Sequence, residues 1–411
     1  MKKIVCIIIL ILLGVNTVGC EDSNAKTLVK YPDNTNIDYE SDDEFIKSAN
    51  EFACKTAYEI LTDNVKNENI NYSPISVYFA LSLAATGAND SSKEELFDLL
   101  CINGKDKDYL SEECYKLFNS LYFDKGKSKL KIANSLWLKN GIEFKDEFII
   151  NAVEKFYASL FNIDFSSKKE LKKMTEWVSD NTNNLLNPTF EPDKDKILSI
   201  INTIYFYDTW LEEFKKQDNT NEIFYLPSGE EKNCVFMNKS FSDHKYYIGE
   251  NYISSSLDFE NCGSIKFILP NENVEIADLL ESNDILNNIM NREFIDKATV
   301  NFKLPKFQIE SKFDIKKTLQ DMGVEKIFNE ADFSDMTDKD IFISDINQGT
   351  YISLDEKGVE AAAYTEIGMK LTSVDDIKII QMTLNRPFIY VLTAKNGTIL
   401  FVGVCSDPTF Q

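Results

Sequence analysis

The stretch Asp355-Glu356-Lys357-Gly358-Val359-Glu360-Ala361-Ala362-Ala363-Tyr364-Thr365-Glu366-Ile367-Gly368-Met369-Lys370 alternates in character from its fifth residue onward. Every second position from Val359 gives Val359, Ala361, Ala363, Thr365, Ile367 and Met369, while the intervening set gives Glu360, Ala362, Tyr364, Glu366, Gly368 and Lys370. One face is apolar and the other mostly polar, the pattern of a strand with one buried side. The first buried positions are small or β-branched, so this segment could slide between two existing strands without a large side chain in the way. An alternating strand, Thr350 to Leu354, precedes it, and Leu371-Thr372-Ser373-Val374-Asp375-Asp376 follows it without bulky residues and reads as accessible. A latent strand leads into an exposed loop. An edge strand followed by a surface loop would carry the same alternation, so the rest of the chain must decide between them.

Helices are expected early in the chain. Phe45, Ala49, Phe52, Ala53, Ala57, Ile60 and Leu61 recur at three- and four-residue steps and share one helix face. A second helix is predicted to start with Ser73 as N-cap and Pro74 in the first turn, where the missing N–H costs nothing. Ser92 with Glu95 reads as a capping box ahead of Leu96, Leu99 and Leu100. Strands follow. Ile197 to Phe206 is an almost unbroken apolar run, expected to be covered on both faces of a central sheet. Pro387 to Ala394 and Thr398 to Cys405 flank Lys395-Asn396-Gly397, and Asn-Gly is a strong hairpin signal. With helices early and strands late, the expected class is α+β.

The first twenty residues differ in kind from the rest. Lys2 and Lys3 precede an apolar run from Ile4 to Val15, followed by small residues to Gly19-Cys20, the order of an export signal. Thr17-Val18-Gly19-Cys20 resembles a bacterial lipobox, with Thr17 where Leu is usual, and implies Cys20 as a lipid-bearing first residue of the mature chain. We read residues 1–19 as a signal peptide, 20–43 as an acidic tether and 44–411 as one domain, exported and extracellular or held at the cell surface. The 411 residues carry a net charge of −23, so nucleic acid, heparin-like polyanions and anionic membrane surfaces are disfavoured as partners. Any membrane association would come through the lipid. The mature cysteines form no CxxC pair, and a chain of this length needs no staples, so thiols and disulfides both fit.

Catalysis finds little support. A nucleophilic Ser or Cys needs a base, most often His, and the chain has a single His, His244, in the polar run Ser242-Asp243-His244-Lys245 that reads as an exposed turn. There is no GxSxG elbow, HExxH helix, phosphate-binding loop or zinc-ligand pattern, so no enzyme, cofactor or metal is expected.

Glu356-Lys357-Gly358-Val359-Glu360-Ala361-Ala362-Ala363 resembles the hinge of the serpins, and further motifs extend the resemblance across the domain in order. They are Asn71-Tyr72-Ser73-Pro74-Ile75-Ser76, Ile132-Ala133-Asn134-Ser135-Leu136-Trp137, and Asn202-Thr203-Ile204-Tyr205-Phe206 with Trp210 and Phe214. Leu304-Pro305-Lys306-Phe307, Ala331-Asp332-Phe333-Ser334, Asn385-Arg386-Pro387-Phe388, Leu400-Phe401-Val402-Gly403 and Asp407-Pro408 complete the series.

The resemblance implies helices packed around three β-sheets with an exposed reactive loop near the C-terminus. It further implies a monomeric inhibitor of serine or cysteine proteases, cut after Thr372 and before Ser373, with Leu371 or Lys370 as alternative acyl residues. Glu356, Gly358, Val359, Glu360, Ala361, Ala362, Ala363 and Thr365 would form the hinge. Ser73, Ser76, Asn202, Trp210 and Gln348 would lie where the main sheet opens. Three departures stand out: Gln348 replaces the usual His, Tyr207-Asp208 replaces the usual Lys-Gly, and Tyr364 is larger than typical for the hinge. A non-inhibitory serpin acting as a binding or chaperone-like module is the alternative, although the small, uncharged inward face of the hinge speaks for inhibition.

Overall fold

The seven apolar residues expected on one face of the first helix are all buried along α1 (Asp43–Asn64). These positions come from a computed structural model that describes residues 40–64, 68–125, 128–359 and 378–409. The proposed signal peptide, Cys20, the tether up to residue 39 and the loop from Glu360 to residue 377 lie outside the described residues. Against α1 packs α2 (Pro74–Thr86), in which every residue but Ala80 is buried, as expected of a helix apolar all round. Ser73 does hold the N-cap position, but its hydroxyl donates to the Leu400 carbonyl (2.8 Å) instead of capping the helix.

The capping box at Ser92 and Glu95 does not form. Helix α3 (Asp90–Leu99) begins earlier, because the Asn89 carbonyl already accepts the Ser92 and Lys93 amides and its own amide is tied to Asp332. Ser92 instead accepts the Asp332 amide at 2.8 Å. The Glu95 carboxylate takes the amides of Glu325, Lys326 and Ile327, each at 3.0 Å, and so caps a distant helix, α9 (Lys326–Asn329). Helices α4 (Lys107–Leu121), α5 (Asp146–Phe156), α7 (Asn283–Met290) and α8 (Ile315–Asp321) complete the layer around the main core. Helix α6 (Lys168–Asn181) lies elsewhere and closes a second, smaller core with Leu171 and Met174 against Trp137, Ile163 and Phe165.

The described residues form three sheets, and the chain is α+β as expected. The largest runs β1 (Ile70–Tyr72), β16 (Ile399–Cys405), β15 (Phe388–Ala394), β9 (Gly263–Pro270), β8 (Tyr252–Asp258), β7 (Glu231–Ile248), β10 (Asp296–Pro305) and β14 (Ile379–Thr383), with β6 (Thr220–Tyr225) paired to β7. The second runs β13 (Gly358–Val359), β5 (Leu198–Thr209), β3 (Ser128–Lys139) and β2 (Phe123–Lys125), with β4 (Ala158–Ile163) on β3. The third is the pair β11 (Phe307–Asp314) and β12 (Asn347–Leu354). The β15–β16 hairpin turns at Gly397, where φ is +85°, and the Asn396 side chain accepts the Thr398 amide.

Two strand expectations change. The run in β5 is not covered on both faces, since Leu198 to Asn202, Ile204 and Tyr207 are only half-buried. His244 is no exposed turn but a residue of β7, its ring 5.0 Å from Phe241 and 5.8 Å from Phe302 and its Nε2 hydrogen-bonded to the Ser256 carbonyl. A bulge explains the misreading. The β7–β10 register shifts between Ala298 and Val300, and Asp243, with φ +52°, sits in the extra turn of backbone that breaks the alternation. His244 meets a carbonyl and two rings there rather than a nucleophile, and among the described residues no cluster of His, Cys, Asp or Glu is placed to hold a metal. All six cysteines in the described residues are free thiols.

Candidate functional site

The segment that opened the sequence reading enters the structure through a tight hairpin. The Asp355 amide donates to the Gly358 carbonyl at 2.9 Å, and the Gly358 amide returns to Asp355 at 3.2 Å. The chain then runs as β13 antiparallel to the end of β5, with Gly358 opposite Thr209 and Val359 opposite Asp208. Only glycine fits at 358. Its φ is +137°, and a Cβ there would fall 2.2 Å from the Asp208 carbonyl oxygen.

A set of bonds holds this hairpin to the top of β5. Trp210 donates its amide to the Lys357 carbonyl and its indole Nε1 to the Asp355 carbonyl, both at 2.9 Å, and stacks on Phe259 with centroids 4.9 Å apart. The Phe214 amide donates to the Glu356 carbonyl. Glu356 is buried and takes the Asn219 amide group at 2.6 Å and the Lys306 ammonium at 3.0 Å. Burial pushes its carboxyl pKa up, but its own backbone amide, Lys306 and Asn219 outweigh that and hold it below the usual glutamate range.

Below this bolt the second and third sheets stand apart. Among the described residues, β5 pairs with β3 along one edge and with nothing but the two residues of β13 on the other, and β12 pairs only with β11. Ile204, Tyr205 and Phe206 of β5 face Tyr351, Ile352 and Ser353 of β12 across a cleft, over which Thr182, Leu185 and Leu186 pass from the end of α6. Since β13 is antiparallel to β5 and joined to β12 by the hairpin, β5 and β12 point the same way. A strand continuing from β13 would be antiparallel to both, the arrangement with the stronger hydrogen-bond geometry. Two facing, unpaired edges are a template for a further strand.

The family described as serpin (serine protease inhibitor) matches residues 47–408. This chain belongs to the serpin family. Human Serpin B4 is 30% identical over 374 residues, spanning 84% of this chain and 94% of its own. Among solved structures, Serpin48 of the insect Tenebrio molitor is 28% identical with a TM-score of 0.79, covering 89% of this chain and 98% of its own. Human thyroxine-binding globulin in complex with thyroxine shares the fold at 22% identity, with a TM-score of 0.78 over 89% of this chain and 100% of its own. Serpins as a family are inhibitors rather than catalysts.

The departures of this serpin from the family pattern take on structural meaning at the slot. Gln348 on β12 donates from Nε2 to the Ser73 carbonyl at 2.8 Å and accepts the Ser73 amide at 3.1 Å, both groups buried. Its donor and acceptor are thereby used at the start of α2, beside the bond from the Thr350 hydroxyl to the Asn71 carbonyl. Asn202 on β5 is not joined to Gln348. It donates to Asn134 of β3 at 2.6 Å and leaves its own Oδ1 buried without a partner. Ser76 is buried in the first turn of α2.

Asp208 is wholly buried, and its carboxylate accepts the Ser128 hydroxyl (2.6 Å) and the amides of Thr209 (2.9 Å), Asn261 (2.9 Å) and Cys262 (2.6 Å). It thereby ties the end of β5 to the start of β3 and to the β8–β9 turn. Sequence reasoning missed this role. The signal was a lone acid ending an apolar strand, which must be hydrogen-bonded if buried. It also missed the Glu356–Lys306 pair, whose partners lie far apart along the chain. Of the expected hinge, Glu356, Gly358 and the backbone of Val359 stand at the top of the slot; Glu360, Ala361, Ala362, Ala363, Thr365 and the reactive-bond candidates Lys370, Leu371, Thr372 and Ser373 lie outside the described residues.

Proposed function

We propose that this serpin is an exported protease inhibitor and not an enzyme, and that it acts as a suicide substrate. A serine or cysteine protease attacks the carbonyl of Thr372, with Leu371 or Lys370 as alternatives. The peptide bond to the next residue breaks, the new amine leaves with a proton, and the acyl residue remains bound to the enzyme. The freed arm then enters the slot as a strand between β5 and β12, drags the acylated protease along and distorts its active site before water can release it. This is the serpin loop insertion that general accounts of strand addition already name.

The observation that carries this reading is the open slot with β13 already docked at its top. Continuing the register of Gly358 with Thr209 and Val359 with Asp208 sets Met369 opposite Leu198, the first of the 12 residues of β5. Lys370, Leu371 and Thr372 then lie past the end of the strand, as a link to the protease. The same register puts Ala361, Ala363 and Thr365 on the face of Phe206, Ile204 and Asn202, which is the apolar face read from the alternation. Thr365 would arrive opposite Asn202, whose Oδ1 is a buried acceptor without a donor. Roughly ten new backbone bonds at about 1 kcal/mol net each would supply on the order of 10 kcal/mol, comparable with the whole stability of an ordinary domain.

Residues 1–19 would direct export and Cys20 would carry a lipid that holds the protein at a bacterial membrane surface. The test mixes the purified chain with a panel of proteases on denaturing gels. A protease-linked band that survives SDS, with the cut located by mass spectrometry, is the expected outcome. Hydrolysis without such a band would favour the binding-module alternative. Replacing Ala361 or Ala363 by Arg should turn inhibitor into substrate, because an unpaired charge would have to be buried.

A further inference from the structure

The slot is bolted at its top by the hairpin, but its closed lower end is held differently. Lys196 lies just ahead of β5 and Asp345 just ahead of β12, so the two residues sit on short leashes on opposite walls of the slot. Their side chains meet at 2.7 Å, with Lys196 only 16% exposed. Asp345 also accepts the Ser344 hydroxyl at 2.7 Å, and Lys316 of α8 donates to the Ser344 carbonyl at 3.0 Å. Burial pushes the Asp345 carboxyl up, yet the bonds from Lys196 and Ser344 and the charges of Lys196 and Lys316 prevail and hold it below the usual aspartate range.

We propose that the Lys196–Asp345 ion pair is a latch across the floor of the slot, and that its parting helps set how fast a new strand enters. The proposal rests on the strand-insertion reading above. A strand between β5 and β12 requires them to stand two strand spacings apart, about 9.5 Å. Widening the slot toward that spacing pulls the two leashes apart, and a 2.7 Å contact does not survive a shift of that size. The pair therefore favours the empty slot over the filled one. A fully exposed pair would contribute almost nothing, but Lys196 is mostly shielded from water and the pair is correspondingly less screened.

The full chain is compared with K196Q, with D345N and with the charge swap K196D/D345K. Two rates are read: formation of the SDS-stable adduct with a protease that the parent traps, and backbone hydrogen exchange along β5 and β12 without protease. Each single variant is expected to form the adduct about threefold to tenfold faster, with faster exchange in the lower parts of both strands, and the swap is expected to return both rates toward the parent's. High salt should accelerate the parent and leave the single variants unmoved. Single variants that match the parent in both measurements, or a swap as fast as the singles, would overturn the latch. A parent that traps no protease sinks the inhibitory reading instead, and the exchange rates then decide the latch by themselves.

Discussion

Asp208 offers the sharpest test of how the top of the slot is held. Its carboxylate receives three donors from outside its own backbone neighbourhood: the Ser128 hydroxyl and the Asn261 and Cys262 amides. Asp208→Ala leaves all three in a fully buried place without an acceptor. Each stranded donor costs about 1–3 kcal/mol, and water entering the space returns part of this, so the expected loss is about 3–6 kcal/mol. Asp208→Asn keeps one oxygen but turns an NH2 group toward the remaining donors, and should lose about 2–4 kcal/mol. Urea unfolding followed by tryptophan fluorescence reads the effect, since Trp210 stacks on Phe259 beside the same turn. The midpoint of the first transition should fall at unchanged slope, alanine below asparagine. A midpoint for the alanine variant within about 0.5 kcal/mol of the parent would refute the assignment of Asp208 as an anchor.

Gly358→Ala would force a Cβ into the Asp208 carbonyl at positive φ, so it should undo the β13 pairing, cost about 1–3 kcal/mol and lower the thermal midpoint. His244 predicts a pH effect. Burial lowers its pKa against the bond from Ser256, so below its ordinary value of about 6.5 the unfolded chain takes up a proton that the folded chain refuses. Stability should therefore drop as pH falls from about 7.5 to about 5.5, and His244→Gln should flatten that step in urea midpoints measured at both values.

The parts of the fold legible in the sequence are those governed by local periodicity. The buried face of α1 follows from three- and four-residue spacing, and the β15–β16 hairpin from Asn396-Gly397 between two apolar runs. The alternation from Val359 onward could be read as a strand, but not that only its first two residues would pair with β5 in the described structure. What stayed hidden depends on residues far apart in the chain. Ser92 and Glu95 have the spacing of a capping box, yet their oxygens serve backbone amides more than 200 residues later. The polar run around His244 reads as a turn because a bulge hides its alternation. The Glu356–Lys306 and Lys196–Asp345 pairs carry no local signature, since neither partner constrains its own neighbours in sequence.

The pairing of β1 with β16 bears on how the chain reaches this form. Ile70 lies opposite Val404, and the Ser73 hydroxyl is satisfied only by the Leu400 carbonyl. Synthesis delivers the first of these partners long before the second, so the N-terminal helices wait, incompletely packed, until nearly the last residues have left the ribosome. By then the segment beyond β12 has long been available. The final hairpin must seal the largest sheet before that segment finds its way between β5 and β12, and arrival order, rather than depth of the energy well, decides which form is made.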